Sequence, residues 1–229
     1  MRTRKHAAHS DALGRVFHAD LFELGPAPTV VVLQFGGSGV TATKYWERAT
    51  TRVAAFDDVL ARLEVEGMSL AFAFVTAPFD LGYALFHQDP AAAARWTRHV
   101  AEDLLALWPD VPVFLQGYSG GIEPAIRGPH LLPRCVGVGG LGADIVSADV
   151  DEGAGLNADR PLVLMMNRND PVCRSNMAII NALVEQDLAR VGAAPGGGHR
   201  LEDYIAQGAF EGLLRTAIRR AGASQQSPR

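Results

Sequence analysis

Cysteine is scarce in this chain. Of 229 residues, only Cys135 and Cys173 are cysteine, too few for a disulfide framework. Neither has a Cys or His at the spacing of a zinc site. A Cys135–Cys173 bridge is not expected, because Cys135 opens one strand-like segment and Cys173 follows the end of another. A five-residue strand spans about 16 Å, well beyond the roughly 7 Å Cα separation that a disulfide tolerates. Lysine is almost missing as well, so arginine carries the basic charge. There is no excess of positive charge: 21 Lys and Arg face 25 Asp and Glu, for a net charge of −4. That excludes a general nucleic-acid binder. No apolar run approaches the roughly 18 residues of a membrane span. The opening MRTRKHAAHSDALG is basic but has no apolar segment behind it, which argues against a secretory signal. The expected location is the cytoplasm. Residues 1–14 and 222–229 are polar and are expected to be flexible, flanking one domain over 15–221.

What is abundant is apolar material, 48% of the chain, and glycine, at 24 residues. The apolar residues fall into alternating segments. Residues 16–24 look strand-like. TVVVLQF at 29–35 is β-branched and almost wholly apolar, as suits a strand covered on both faces. Over 41–66, Tyr45, Ala49, Val53, Phe56, Leu60 and Leu63 recur at helical steps. SLAFAFV at 69–75, VPVFLQ at 111–116, CVGVG at 135–139 and PLVLMMN at 161–167 read as further strands. Helices are expected over 91–107, from about Gly120, over 175–190 and over 204–220. This alternation implies an α/β fold: a mainly parallel central sheet with helices on both faces. Ligands bind such sheets at the carboxyl ends of the strands, so the chemistry is sought just after each strand.

After VPVFLQ comes Gly117-Tyr118-Ser119-Gly120-Gly121, a G-x-S-x-G between a strand and a helix. The pattern suits a turn so sharp that the residues two before and two after the serine must lack side chains. Such a turn lifts the Ser119 hydroxyl above the sheet at a helix start, where backbone N–H groups face a developing oxyanion. Past PLVLMMN lies Asp170, in NRNDPV. It is a candidate acid, although Asp before Pro is also a common turn former. Past a Gly-rich turn, in PGGGH, lies His199, a candidate base. His6, His9, His18, His87, His99 and His130 have no comparable setting.

The order Ser119, Asp170, His199 is the one found in α/β-hydrolases. Through GYSGG, NRNDPV and PGGGH, over roughly residues 16–220, the chain resembles the α/β-hydrolase superfamily, and within it small carboxylesterases and dienelactone-hydrolase-like enzymes. The dienelactone hydrolases proper use Cys where this chain has Ser. The resemblance implies that Ser119 is the nucleophile, His199 the general base and acid, and Asp170 the residue that orients His199. It implies an oxyanion hole from the N–H of Gly120 and a second donor in the loop after TVVVLQF. Gly37 is favoured there, with Gly36 and Ser38 as alternatives. Phe35-Gly36 stands where the family commonly has His-Gly. The reaction implied is hydrolysis of a small-molecule carboxylic ester or thioester with no cofactor and no metal; acyl transfer with the same residues is the alternative.

A rival reading starts from the same loop. Gly37-Ser38-Gly39-Val40-Thr41-Ala42 matches the dinucleotide fingerprint G-x-G-x-x-A. That reading needs an acidic residue at the end of the next strand, but the strand ends Val75-Thr76-Ala77, and Asp80 follows only in a Pro-containing loop. Lys44 lacks the flanking residues of a Walker A motif. The long, aromatic-rich connection at 77–90 is expected to wall the pocket with Phe79, Tyr83 and Phe86, joined by Tyr118, Phe35 and Trp46. The alternative is that these rings cover the core. Glu123 is expected on the exposed face of its helix, and Cys173 as a loop thiol. Only about twenty residues (141–160) occupy the place where a lid is usually inserted, so a minimal lid or none is expected.

Overall fold

The computed structural model describes residues 1–8, 17–37, 55–77, 89–145 and 156–226. Eight strands form one sheet: β1 (Arg2–Ala8), β2 (Phe17–Leu24), β3 (Val31–Phe35), β4 (Leu70–Val75), β5 (Val113–Tyr118), β6 (Cys135–Leu141), β7 (Leu162–Asn167) and β8 (Ala189–Ala194). Their order is β1-β2-β4-β3-β5-β6-β7-β8. The pairs β1–β2 and β2–β4 are antiparallel, and every pair from β4–β3 onward is parallel. The helices are α1 (residues 55–65), α2 (Pro90–Leu105), α3 (Ile122–Arg127), α4 (Pro171–Ser175), α5 (Met177–Glu185), α6 (Leu201–Ala206) and α7 (Ala209–Gln226).

Side-chain alternation along the central strands separates two cores. Val31, Leu33 and Phe35 of β3 join Trp96 and Val100 of α2, Ile122 and Ile126 of α3, and Ile180 and Leu183 of α5. Val32 points the other way, to Phe56 and Leu60 of α1 and Phe210 and Leu214 of α7. Both faces of β3 are therefore dry, which is why its sequence lacks a polar stripe. Caps set the helix starts. Asp89 accepts from the Ala92 N–H at 2.9 Å, with Pro90 in the first turn of α2, and Asp170 does the same for α4 ahead of Pro171.

Several sequence expectations are corrected. Residues 2–8, expected to be flexible, form β1 and pair with β2 from Arg2↔Glu23 to Ala8↔Phe17. A basic edge strand has no apolar alternation to announce it, and its charges suit an edge. The tail expected at 222–229 is helical as far as Gln226. The helix expected over 175–190 begins at Pro171, breaks at Asn176 and gives way to β8 at Ala189. The helix expected over 204–220 is two helices, parted at Gly208, whose φ is +74°, a left-handed geometry that stops a helix. Glu123 is fully buried instead of solvated: every residue of α3 is buried. The carboxylate of Glu123 lies 3.7 Å from the Arg127 guanidinium one turn on. Cys135 and Cys173 are both free and buried, and Cys173 lies in α4.

No helix among the described residues is long and apolar enough to cross a membrane. The expectation of a minimal lid concerns 141–160, of which 146–155 lie outside the described residues.

Candidate active site

The turn after β5 is as tight as its sequence requires. Ser119 has φ +52°, a left-handed conformation that strains a non-glycine residue by about 1–3 kcal/mol. The flanking glycines make the turn sterically feasible. A Cβ on Gly117 would sit 2.4 Å from the Gly121 carbonyl and 2.4 Å from Ile122 Cα, and one on Gly121 would sit 2.2 Å from the Gly36 carbonyl. These obstacles are backbone and cannot swing away.

The elbow aims Ser119 Oγ at His199, whose Nε2 is 2.8 Å away. On its other side, His199 Nδ1 is 2.7 Å from Asp170 Oδ2. Asp170 is fully buried. Its Oδ1 accepts from the N–H groups of Val172 at 2.8 Å and Cys173 at 3.3 Å, the first turn of α4. One carboxylate thus caps a helix and faces a histidine. The turn-former reading of Asp-Pro and the acid reading describe the same residue.

Tyr204 of α6, which the motifs do not mark, contacts the same carboxylate. Its hydroxyl donates to Asp170 Oδ2 at 2.6 Å and accepts from the Asn167 N–H at 3.1 Å. Burial works to raise the Asp170 carboxyl, but the hydrogen bonds from Tyr204 and His199 outweigh it and hold the group below its ordinary range. Burial and the bond to Asp170 push the Tyr204 phenol far above its ordinary value. The Cys173 thiol, 3.7 Å from the Tyr204 oxygen, is pushed up to about 12, first by burial and then by the Asp170 charge.

His199 sits in the connection from β8 to α6, and that turn is anchored on both sides. Asn167 Nδ2 donates to the Gly198 carbonyl at 2.9 Å, and the Gly198 N–H donates to Asp203 Oδ2 at 2.9 Å. Tyr118 adds a third restraint. Its hydroxyl donates to the His199 carbonyl at 2.5 Å, and its ring stacks on the imidazole at 5.4 Å between centroids, 26° from parallel. Gly142, with φ +59°, closes the space behind. A Cβ there would lie 3.0 Å from Asp170 Oδ2, 3.1 Å from Tyr204 Oη and 3.2 Å from His199 Cε1. Asn167, Tyr204 and Gly142 carry no local motif. Only their place at the end of β7, in α6 and after β6 brings them here.

The loop after β3 reaches the same spot. A Cβ on Gly37 would lie 2.9 Å from the Tyr118 ring and 3.4 Å from Ser119 Cβ, so Gly37 abuts the elbow. The Gly36 N–H donates to the Val75 carbonyl at 3.1 Å. It is committed to the sheet, which counts against Gly36 as an oxyanion donor. Phe35 is wholly buried in the α2–α3 core, and Tyr118 is spent on His199, so neither offers an open pocket wall. Ser38, Trp46, Phe79, Tyr83 and Phe86 lie outside the described residues, as do 38–42 of the dinucleotide-like turn.

A groove of about 820 Å³, lined by Arg134, Arg160 and Arg220 among others, opens where β6 and β7 begin, at the opposite end of the sheet from Ser119. Among the described residues, no group of three or more His, Cys, Asp or Glu is arranged to hold a metal ion.

No family model and no curated protein matches the chain. Solved structures do. A ferulic acid esterase superposes with a TM-score of 0.60 at 13% identity, over 96% of this chain and 98% of that one. An S-formylglutathione hydrolase from Staphylococcus aureus gives 0.60 at 13% identity, over 96% of each chain. The enterobactin esterase of Shigella flexneri gives 0.65 at 14% identity, over 99% of this chain and 61% of that one. Likeness at such identities is likeness of fold: solved esterases and serine hydrolases share this mainly parallel α/β sheet.

Proposed function

We propose that this α/β-hydrolase-fold protein is a serine hydrolase that cleaves small-molecule carboxylic esters or thioesters. The observation that carries the reading is the hydrogen-bonded line Ser119 Oγ, His199 Nε2 and Nδ1, Asp170 Oδ2, at 2.8 and 2.7 Å, beginning on a strained turn between strand and helix. Strain of that kind persists only where its surroundings impose it, and it clusters at reactive sites. The neighbours in fold act, by their names, on a ferulic acid ester, enterobactin and S-formylglutathione. These names favour an ester or thioester over a dinucleotide.

In this reading His199 Nε2 takes the Ser119 proton as Oγ bonds to the acyl carbon, and the carbonyl electron pair moves onto oxygen. The N–H groups of Gly120 and Gly37 hold that oxyanion. Its collapse expels the alcohol or thiol, which leaves with the proton from His199. Water then adds to the acyl-enzyme, gives a proton to His199 and releases the acid, and Ser119 recovers its proton. Asp170 keeps the imidazole oriented and stabilises its cation. The expected location remains the cytoplasm, and no nucleic-acid partner is proposed.

Ser119→Ala tests the assignment. The variant is expected to lose labelling by a fluorophosphonate probe and to lose at least ~10³-fold in hydrolysis of p-nitrophenyl esters. Full labelling of the variant would overturn it. A panel of esters and thioesters of graded acyl length then places the substrate.

A further inference from the structure

We infer that Tyr204 is a positioning residue of this site, and that by sharing Asp170 Oδ2 with His199 it governs how strongly the carboxylate holds the imidazole. The inference rests on the serine-hydrolase reading and deepens it. Asp170 Oδ2 receives two donors at nearly equal distance, the Tyr204 hydroxyl at 2.6 Å and His199 Nδ1 at 2.7 Å. Its other oxygen is occupied by the backbone of α4. Each donor draws negative charge from the oxygen the other needs. The Tyr204 bond therefore weakens the pull of the carboxylate on the imidazolium that forms when His199 takes the Ser119 proton.

Tyr204 is built to hold this role. Its ring is wholly buried, and the Asn167 N–H fixes the acceptor side of its oxygen, so its own proton is directed at Asp170. With its phenol pushed up by burial, it stays a donor wherever an esterase would be assayed. The titratable groups around the pair are few. The elbow presents Tyr118 and Ser119, α4 presents Cys173, and the turn before α6 presents His199. Asp203 lies beyond the Gly198 N–H that it accepts. Among the described residues, no Arg or Lys forms an ion pair with Asp170, whose partner is His199.

The test is the pH profile of kcat/KM for Tyr204→Phe, read with a p-nitrophenyl ester and, independently, as the pH dependence of the fluorophosphonate labelling rate. Removing the hydroxyl leaves Oδ2 to His199 alone. The imidazolium is then held more tightly and persists to higher pH. The acidic limb is expected to move up by about 0.5–1 pH unit, the size of one typical net hydrogen bond in a folded protein, with KM little changed. A limb that stays within 0.2 unit, or moves down, overturns the inference, even if kcat falls. That pattern is what loss of packing alone would give. Wild-type protein that neither labels nor hydrolyses would instead overturn the serine-hydrolase reading, so the two failures are distinct.

Discussion

At the scale of single residues, the site depends on space as much as on functional groups. Gly142 contributes no polar side chain, yet a Cβ at its position would crowd Asp170, Tyr204 and His199 together. Its φ of +59° adds a backbone penalty of about 1–2 kcal/mol for any residue with a side chain. Gly142→Ala is expected to lower kcat/KM by about 10²-fold, since a catalytic group displaced by as little as 1 Å can cost that much. Far-UV circular dichroism should remain that of the wild type. Unchanged kinetics would show that the carboxylate and the imidazole tolerate the intrusion. Ser119, Asp170 and His199 were legible in the sequence because each belongs to a local pattern: a glycine-flanked turn, a helix cap before proline, a histidine after three glycines. Tyr204 and Gly142 were not, because their chemistry comes only from what stands beside them in space. Glu123 was misread for a related reason. One acidic residue on a short helix reads as solvated, and only the packing of α3 against the sheet and α2 shows otherwise, with Thr97 Oγ1 donating to the Pro124 carbonyl at 2.7 Å.

At the scale of elements, the central parallel strands were legible because burial on both faces leaves nothing but apolar residues. Edges and breaks were not. The strand β1 reads as a basic, structureless segment, and β8 carries only Val191 among its larger apolar side chains, 42% exposed. Both edges owe their conformation to the strand they pair with. For β1 this has a consequence that can be measured. It covers the outer edge of β2 over seven residue pairs, and it brings Arg2, Arg4 and Lys5 to that edge. A chain lacking residues 1–8 would present the β2 backbone uncovered, a template for strand pairing. It is expected to self-associate, seen as a rise in mass by light scattering. Fluorophosphonate labelling per folded chain should be kept, because β2, β4 and β3 stand between β1 and the elbow after β5. A monodisperse monomer would show that the edge protects nothing.

At the scale of the whole molecule, the sheet is clamped between two cores of different character. The α2–α3–α5 side is held mainly by aliphatic residues around Trp96. The opposite side depends on four phenylalanines in mutual contact. Phe56 meets Phe72, Phe74 and Phe210 at 5.2, 5.1 and 5.0 Å between centroids, and Phe72 meets Phe210 at 5.5 Å. Phe56 comes from α1, Phe72 and Phe74 from β4, and Phe210 from the first turn of α7, so the cluster joins the consecutive α1 and β4 to the distant α7. It also continues toward the site, since Tyr118 and Tyr204 belong to the same body of buried side chains. Truncating one ring would leave a cavity in this closely packed cluster. Phe210→Ala is therefore expected to cost about 3–5 kcal/mol, and for a chain of this length each kcal/mol lowers Tm by roughly 2–4 °C. The expected fall in Tm is thus on the order of 6–20 °C, read by differential scanning calorimetry. A change of under 2 °C would mean that α7 relaxes into the gap, and that the aromatic cluster is not what fastens it to the sheet.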